Sequence, residues 1–395
     1  MNFVFLSPNF PENYYHFTQG LKANGVSTFG VGDAPYEELR EELRQSLDDY
    51  YKVSDLENYD EVYRAVAFLT HKYGRIDFLE SNNEYWLERD ASLRTDFNIK
   101  GLNEETIKSI RYKSGMKAVY EKAGCKVARY HLTNDLEAGF EFVKKVGYPV
   151  IVKPDNGMGA ATTFKINNEE ELKDFYKTSY PYQMIMEEFV CGDLLSYDGI
   201  ADSNKNVVFE TQNIYPTPIM DIVNEQKDTY FYSLKEVETD VRDIGQRVVK
   251  AFDTNSRFFH CEYFRLTQAK EGLGEVGDIV GLEVNMRPPG GNAPDVMNFA
   301  RQINVYQLWA NMIAFDDAKY DLNHPSCHAV FSSRRDAHHY DVPLNEVVSK
   351  YEGKIYMNQR CPEALAGAMG NDILIGCFDT MEEVYQFVKD VNENH

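Results

Sequence analysis

Two strand-like runs, Phe258–Leu266 and Gly281–Arg287, carry carboxylates where a core strand would carry none, and they limit the folds open to this chain. In the second run, Gly281-Leu282-Glu283-Val284-Asn285-Met286-Arg287, a period of two sends Glu283, Asn285 and Arg287 to one face and Leu282, Val284 and Met286 to the other. A carboxylate, an amide oxygen and a guanidinium in one row suit hard-cation ligands beside an anion clamp. An edge strand with three solvent-facing polar residues has the same alternation. The first run weighs against that reading. It is rich in aromatics with Glu262 at its centre, and a buried carboxylate without compensation costs several kcal/mol, so Glu262 needs a cation, a donor or a cleft. The connection from Thr267 to Asp278 holds three glycines and predicts a hairpin that sets Glu262 across from Glu283. Two carboxylates and an amide oxygen around one point make a Mg2+ site with room for waters and phosphate oxygens.

A chain of 395 residues holds two or three domains. Its net charge of −22 argues against nucleic acid or an anionic membrane surface as a partner, although a few placed cations reverse the sign inside one cleft. No apolar run approaches the ~20 residues of a membrane span, and the start Met1-Asn2-Phe3-Val4-Phe5-Leu6 lacks the basic segment of a signal peptide. A cytoplasmic location is the expectation. Cys125, Cys191, Cys261, Cys327, Cys361 and Cys377 form no Cys-x-x-Cys pair and read as core thiols rather than zinc ligands or a disulfide framework. His338-His339 reads as a surface or loop pair, because neighbours on a strand point to opposite faces.

The first hundred residues have the rhythm of a doubly wound α/β domain: a strand at Phe3–Leu6, a helix over Tyr14–Lys22, a strand at Val26–Val31, a helix over Tyr59–Tyr73 and a strand at Ile76–Leu79. No Gly-x-Gly-x-x-Gly follows the first strand, so no dinucleotide is assigned there. The loop Ser7-Pro8-Asn9-Phe10 reads as a turn that is also in a position to touch a substrate.

Beyond Asn103 cations appear at element ends. Lys113 and a Ser114 cap open a helix that stops at Ala123-Gly124, and Lys126–Tyr130 reads as a strand. On its own Lys113 reads as an exposed lysine. Tyr148-Pro149-Val150-Ile151-Val152-Lys153-Pro154 is an apolar strand that ends in a lysine just before the small-residue loop Gly157-Met158-Gly159-Ala160-Ala161. That arrangement suits an ammonium and backbone N–H groups closing over a phosphate, although an ordinary glycine-containing hairpin has the same composition. Gly-x-x-x-x-Gly-Lys-Ser/Thr is absent, so this is no P-loop. Tyr182 to Val190 is an apolar strand with Glu187 and Glu188 near its end and Cys191-Gly192-Asp193 turning away. It offers backbone groups to a purine edge and carboxylates to amino or hydroxyl groups, or else to solvent.

Taken in order, these parts resemble the ATP-grasp superfamily, over about residues 105 to 310. The resemblance implies an α/β (α+β) ATP-grasp fold with a Rossmann-like preceding domain at 1–104, a small subdomain at 105–190, a large subdomain with the metal site at 191–315 and a small carboxy-terminal subdomain at 316–395. It implies that Lys113 and Lys153 contact nucleotide phosphates and that Gly157 to Ala161 form the phosphate loop. Glu187, Glu188, Phe189 and Val190 then match the adenine strap. Glu262, Glu283 and Asn285 match the Mg2+ ligands, two ions by the family pattern with Mn2+ as a substitute, and Arg287 matches the arginine over the transferring phosphoryl group. Two departures stand out: Ala160-Ala161 replace the usual Ser or Gly, and the ribose-holding acid is expected near Leu194, where Asp193 is the available substitute.

The activity that the resemblance implies is ATP-dependent ligation of a small carboxylate to an amino-acid-like amine through an acyl phosphate, releasing ADP and phosphate. A homodimer is compatible with it. Carboxylation of an amine, ligation to a thiol, and a non-catalytic ATP-binding regulatory protein stand as alternatives. Arg334-Arg335 reads as a solvated basic pair or, less simply, as the holder of a second carboxylate. Tyr306–Ala314 and the tail Ala329–Phe387 are expected to form a third unit over the site.

Overall fold

In the computed structural model, which describes residues 1–157, 162–217 and 227–393, the strands form three sheets. The first is parallel, built from β1 (Asn2–Leu6), β2 (Ser27–Gly32), β3 (Asp49–Lys52) and β4 (Phe78–Glu80) in the order β3-β2-β1-β4. The helix Tyr59–Tyr73 has the bounds expected from its pattern: Asn58 caps it by accepting from the Glu61 N–H, and Gly74 ends it at φ 88°. Strand order reverses beside β1, so the loops after β1 and β4 face each other across a crevice. In open α/β sheets that crevice is where ligands sit.

The run read as one strand from Lys126 to Tyr130 is two, because the chain changes sheet within it. β5 (Lys126–Val127) joins a large sheet, and β6 (Tyr130–Leu132) begins a small antiparallel one with β7 (Val150–Pro154), β8 (Phe164–Ile166) and β9 (Met184–Glu188). The small sheet has its own core, in which Val150, Val152, Ile166 and Met186 meet Phe142, Val143, Leu172 and Phe175 of two amphipathic helices.

The large sheet adds β10 (Gly192–Ala201), β11 (Val207–Tyr215), β12 (Tyr230–Ser233), β13 (Arg257–Leu266), β14 (Ile279–Asn285), β15 (His328–Arg334), β16 (Ile355–Arg360) and β17 (Asp372–Phe378), in the order β16-β17-β15-β12-β11-β10-β13-β14-β5. The segment expected to form the small subdomain, 105–190, is therefore divided. The helix Lys113–Lys122 buries Met116 and Tyr120 against Val284, Tyr263 and Cys261 of the large sheet.

Three other expectations are corrected. A bulge between Glu262 and Tyr263 in the β13–β14 register leaves Leu282 as the extra residue, so Gly281, rather than Leu282, shares the core face with Val284 and Met286. The helix Val305–Phe315 does not join the carboxy-terminal tail. It packs Trp309, Tyr306 and Ala310 against Phe3, Phe5 and Phe17 of the first domain and Ile200 and Phe258 of the large sheet. Arg334 and Arg335 are neither solvated nor free for a ligand: both are buried, Arg334 donating to the Val391 and Asp390 carbonyls and Arg335 to those of Lys227, Ala366 and Gly367.

Candidate active site

The hairpin brings together the groups that its sequence sorted. Glu262 and Glu283 are direct cross-strand partners, and Asn285 pairs with His260 two residues away. Like charges opposite each other on neighbouring strands are destabilising. Burial raises the Glu283 pKa and the Glu262 charge adds to it, against the pull of Lys113 and Lys153. Burial also opposes ionisation of Glu262, yet His260, Arg287 and Lys153 hold its pKa below the ordinary value.

Two half-buried carboxylates beside an amide oxygen fit a hard cation. Among the described residues, no group of three or more His, Cys, Asp or Glu is placed to hold a metal unaided. Two carboxylates and an amide oxygen leave further coordination positions of a hard cation to other oxygen ligands.

Cations line the facing wall. Lys113 lies at the start of its helix, buried, with Nζ donating to the Gly157 carbonyl at 2.8 Å and 3.7 Å from Glu283 Oε2. Ser114 is not the cap: Tyr112 holds the cap position, and Asp155 reaches in from the small sheet to accept from the Ser114 N–H and hydroxyl, each at 2.8 Å. Lys153 is the penultimate residue of β7, with Nζ 2.9 Å from Glu187 Oε2. Gly157 is thus beside Lys113, while Met158, Gly159, Ala160 and Ala161 lie outside the described residues.

Glu187 and Glu188 part company because neighbours on β9 face opposite ways. Glu187 points inward, 4% exposed, and bridges Lys153 and Lys117, the latter 2.9 Å from Oε1. Burial opposes its charge, but the two ammoniums outweigh that and hold its pKa at about 2. Lys117 is fully buried, and burial lowers its pKa despite Glu187. The Glu188 carboxylate is occupied by Arg129 at 2.6 and 3.0 Å and by Lys270 at 3.2 Å, so it is not open to adenine or ribose. Phe189 offers its ring to Lys165 and its carbonyl to Lys270, and Val190 packs on Leu266, Leu273 and Val280. Asp193 is exposed on β10, level with Arg265.

Arg287 lies beyond the end of β14, with Nη1 donating to the Pro288 carbonyl at 2.7 Å and Nη2 paired with Glu84. Its Nε is buried without a hydrogen-bond partner. Glu84 follows β4 in the crevice of the first sheet, and Arg111 approaches it to 3.8 Å. The buried Asn9 Oδ1 and Asn82 Nδ2, from the two crevice loops, are also unpartnered.

The sequence reading passed over Lys117, Glu84, Asp198 and His260. Lys117 had a signal, since it is one helical turn from Lys113 on the same face. For the others only the fold supplies the neighbourhood. The cleft as built holds a pair of repelling carboxylates, a row of cations and orphaned donors, which is an arrangement for a metal-bound polyanion and a polar second substrate.

A family model described as the carbamoyl-phosphate synthase L chain, ATP binding domain matches residues 112–223. The L-arginine-specific L-amino acid ligase of Bacillus subtilis is 24% identical over 291 residues, 70% of this chain and 67% of that protein. Among solved structures, the L-amino acid ligase from Bacillus licheniformis superposes with a TM-score of 0.74 at 14% identity, covering 100% of this chain and 97% of that one. The biotin carboxylase domain of the Hydrogenobacter thermophilus 2-oxoglutarate carboxylase, in a complex with MgADP, gives 0.72 at 16% identity over 98% of this chain and 89% of that one.

Proposed function

We propose that this chain, a member of the ATP-grasp superfamily, is an ATP-dependent carboxylate–amine ligase. The observation that carries the reading is the directly opposed pair Glu262 and Glu283 facing Lys113, Lys153 and Arg287 in one cleft. A metal-bound polyphosphate satisfies both charge sets at once.

In this reading Glu262, Glu283 and Asn285 hold Mg2+, two ions or Mn2+ in its place, and the metal supplies charge neutralisation at the phosphoryl oxygens. Lys113 and Lys153 bind the phosphates, Gly157 lies beside Lys113, and Phe189 and Val190 flank the base. Glu187 serves as counter-ion to Lys153 rather than as a contact to adenine. Asp193 remains the candidate for the ribose. Arg287 faces the transferred phosphoryl group once it has left Glu84. A substrate carboxylate oxygen attacks the γ-phosphorus and ADP leaves; the amine then attacks the acyl carbon and phosphate leaves. Orientation of the reactants is worth roughly 7–11 kcal/mol of the barrier in well-aligned systems.

The substrates in this reading are amino-acid-like, a homodimer is compatible with it, and the compartment is the cytoplasm. The divisions at 104, 190 and 315 are kept as working units, with the helix Lys113–Lys122 assigned to the large one. The test is ADP and phosphate release with pooled amino acids and small carboxylates, with hydroxylamine added to trap the acyl phosphate. An acyl hydroxamate and an amide product support the reading. Tight ATP binding with no release in any mixture refutes it in favour of a binding protein, and release that needs bicarbonate or a thiol moves the chain to another branch of the superfamily.

A further inference from the structure

We propose that Asp198 is a positioning residue of the phosphoryl-transfer centre: through the ring of His260 it fixes the carboxylate of Glu262 in the orientation that receives the metal. The inference rests on the ligase reading above. Asp198 sits mid-strand on β10, fully buried, between β11 and β13. One carboxylate oxygen pairs with Nδ1 of His260, its register partner on β13. The other accepts from Ser196 Oγ at 2.5 Å and Asn213 Nδ2 at 2.6 Å. On the far side of the ring, His260 Nε2 is 3.4 Å from Glu262 Oε1. His260 in turn pairs with Asn285 across β13–β14, as Glu262 does with Glu283. The chain Asp198–His260–Glu262 therefore runs directly alongside all three proposed metal ligands.

Such a network is a poor way to build stability. Buried charges lose more hydration than a well-packed apolar trio would, and removing any one member leaves the others uncompensated. What the network supplies is direction. Glu262 faces a like charge across the ladder, and without a fixed partner its side chain would rotate away from Glu283 before any cation arrives. Asp198, itself held from three sides, fixes the ring plane of His260, and the ring holds Glu262 toward the cleft. At 3.4 Å the last contact is long enough to adjust when a ligand binds. In metal sites generally, loss of an outer hydrogen-bonding partner costs about 10–100-fold in metal affinity.

The experiment measures Mn2+ binding by electron paramagnetic resonance in the presence of ADP, and ADP binding calorimetrically in the presence of a chelator. For Asp198→Asn the expected result is a Mn2+ dissociation constant raised about 10–100-fold with metal-free ADP affinity unchanged. Mn2+ affinity equal to wild type in the folded variant overturns the inference, and so does a parallel fall in metal-free ADP affinity, which marks a merely structural role. If Asp198→Asn does not fold, His260→Gln gives the same readout, and wild-type Mn2+ affinity there is equally fatal. A wild-type protein that binds no Mn2+ with ADP overturns the metal reading and this inference with it; a wild type that does, beside an unaffected Asp198→Asn, overturns the inference alone.

Discussion

Replacing Glu187 with Gln removes one charge from between two buried ammoniums, and the geometry sets the size of the result. Glu187 is 2.9 Å from both Lys117 and Lys153, which are themselves buried or nearly so. Its pKa falls from 4.5 to about 2 in the folded chain, which is worth about 3 kcal/mol. The general cost of breaking a buried ion pair, roughly 3–5 kcal/mol, agrees. The lower end is expected, because burial already lowers the Lys117 pKa and the variant can shed that proton. A group whose folded pKa is depressed stabilises fully above its unfolded pKa and loses that contribution as pH falls toward the folded one. The gap between wild type and Glu187→Gln should therefore be largest near pH 7 and shrink as pH falls below about 4.5 toward about 2. Urea unfolding of both proteins across this range, without nucleotide, is the assay. A gap that is absent at pH 7, or that does not change down to pH 3, refutes the reasoning.

Three further outcomes are expected. Glu283→Gln removes the like-charge pair, so its metal-free Tm should be no lower than wild type, while the Tm gain from Mg2+ with ADP disappears; a preserved gain would show that Glu283 is no ligand. Glu80→Gln strands Arg94 and Arg257, which Glu80 holds at 2.8 and 3.0 Å, and should cost about 3–5 kcal/mol in denaturant unfolding. A Cβ on Gly281 would lie 2.7 Å from the Tyr120 ring, whose hydroxyl donates to the Glu283 carbonyl at 2.8 Å. Gly281→Ala should cost about 1–3 kcal/mol and weaken Mn2+ binding with ADP, and a variant with wild-type unfolding would contradict this packing.

The pairing of Glu262 with Glu283 was legible because it is local: alternation, a glycine-rich connection and unpaired acids all fall within thirty residues of one another. The first α/β unit was legible for the same reason. Periodicity gave no hint of the extra residue at Leu282, because a bulge depends on the partner strand. Glu187 and Glu188 read alike in the sequence, yet as adjacent strand residues they face opposite ways, one to Lys117 and Lys153 and the other to Arg129 and Lys270. Arg334 and Arg335 looked like surface charge because their acceptors are carbonyls, which leave no mark on a sequence. The placement of Val305–Phe315 depends on Phe3, Phe5 and Phe17, some three hundred residues upstream, and Asp198 reaches Glu262 only through the pairing of β10 with β13.

The shared aromatic seam around Trp309 has a mechanical consequence. By joining the first domain to the large sheet in one core, it makes a single anvil on which Glu84, Arg287, Glu262 and Glu283 keep fixed spacings. The small sheet, with a separate core, is the hammer. The helix Lys113–Lys122 rests on the anvil yet clasps the hammer at several points, among them Ser114 to Asp155 and Lys117 to Glu187, with Lys113 also reaching Gly157. Opening the cleft thus means unfastening those clasps, and in the proposed reading a polyphosphate at Lys113 and Lys153 would compete with Glu187 for charge.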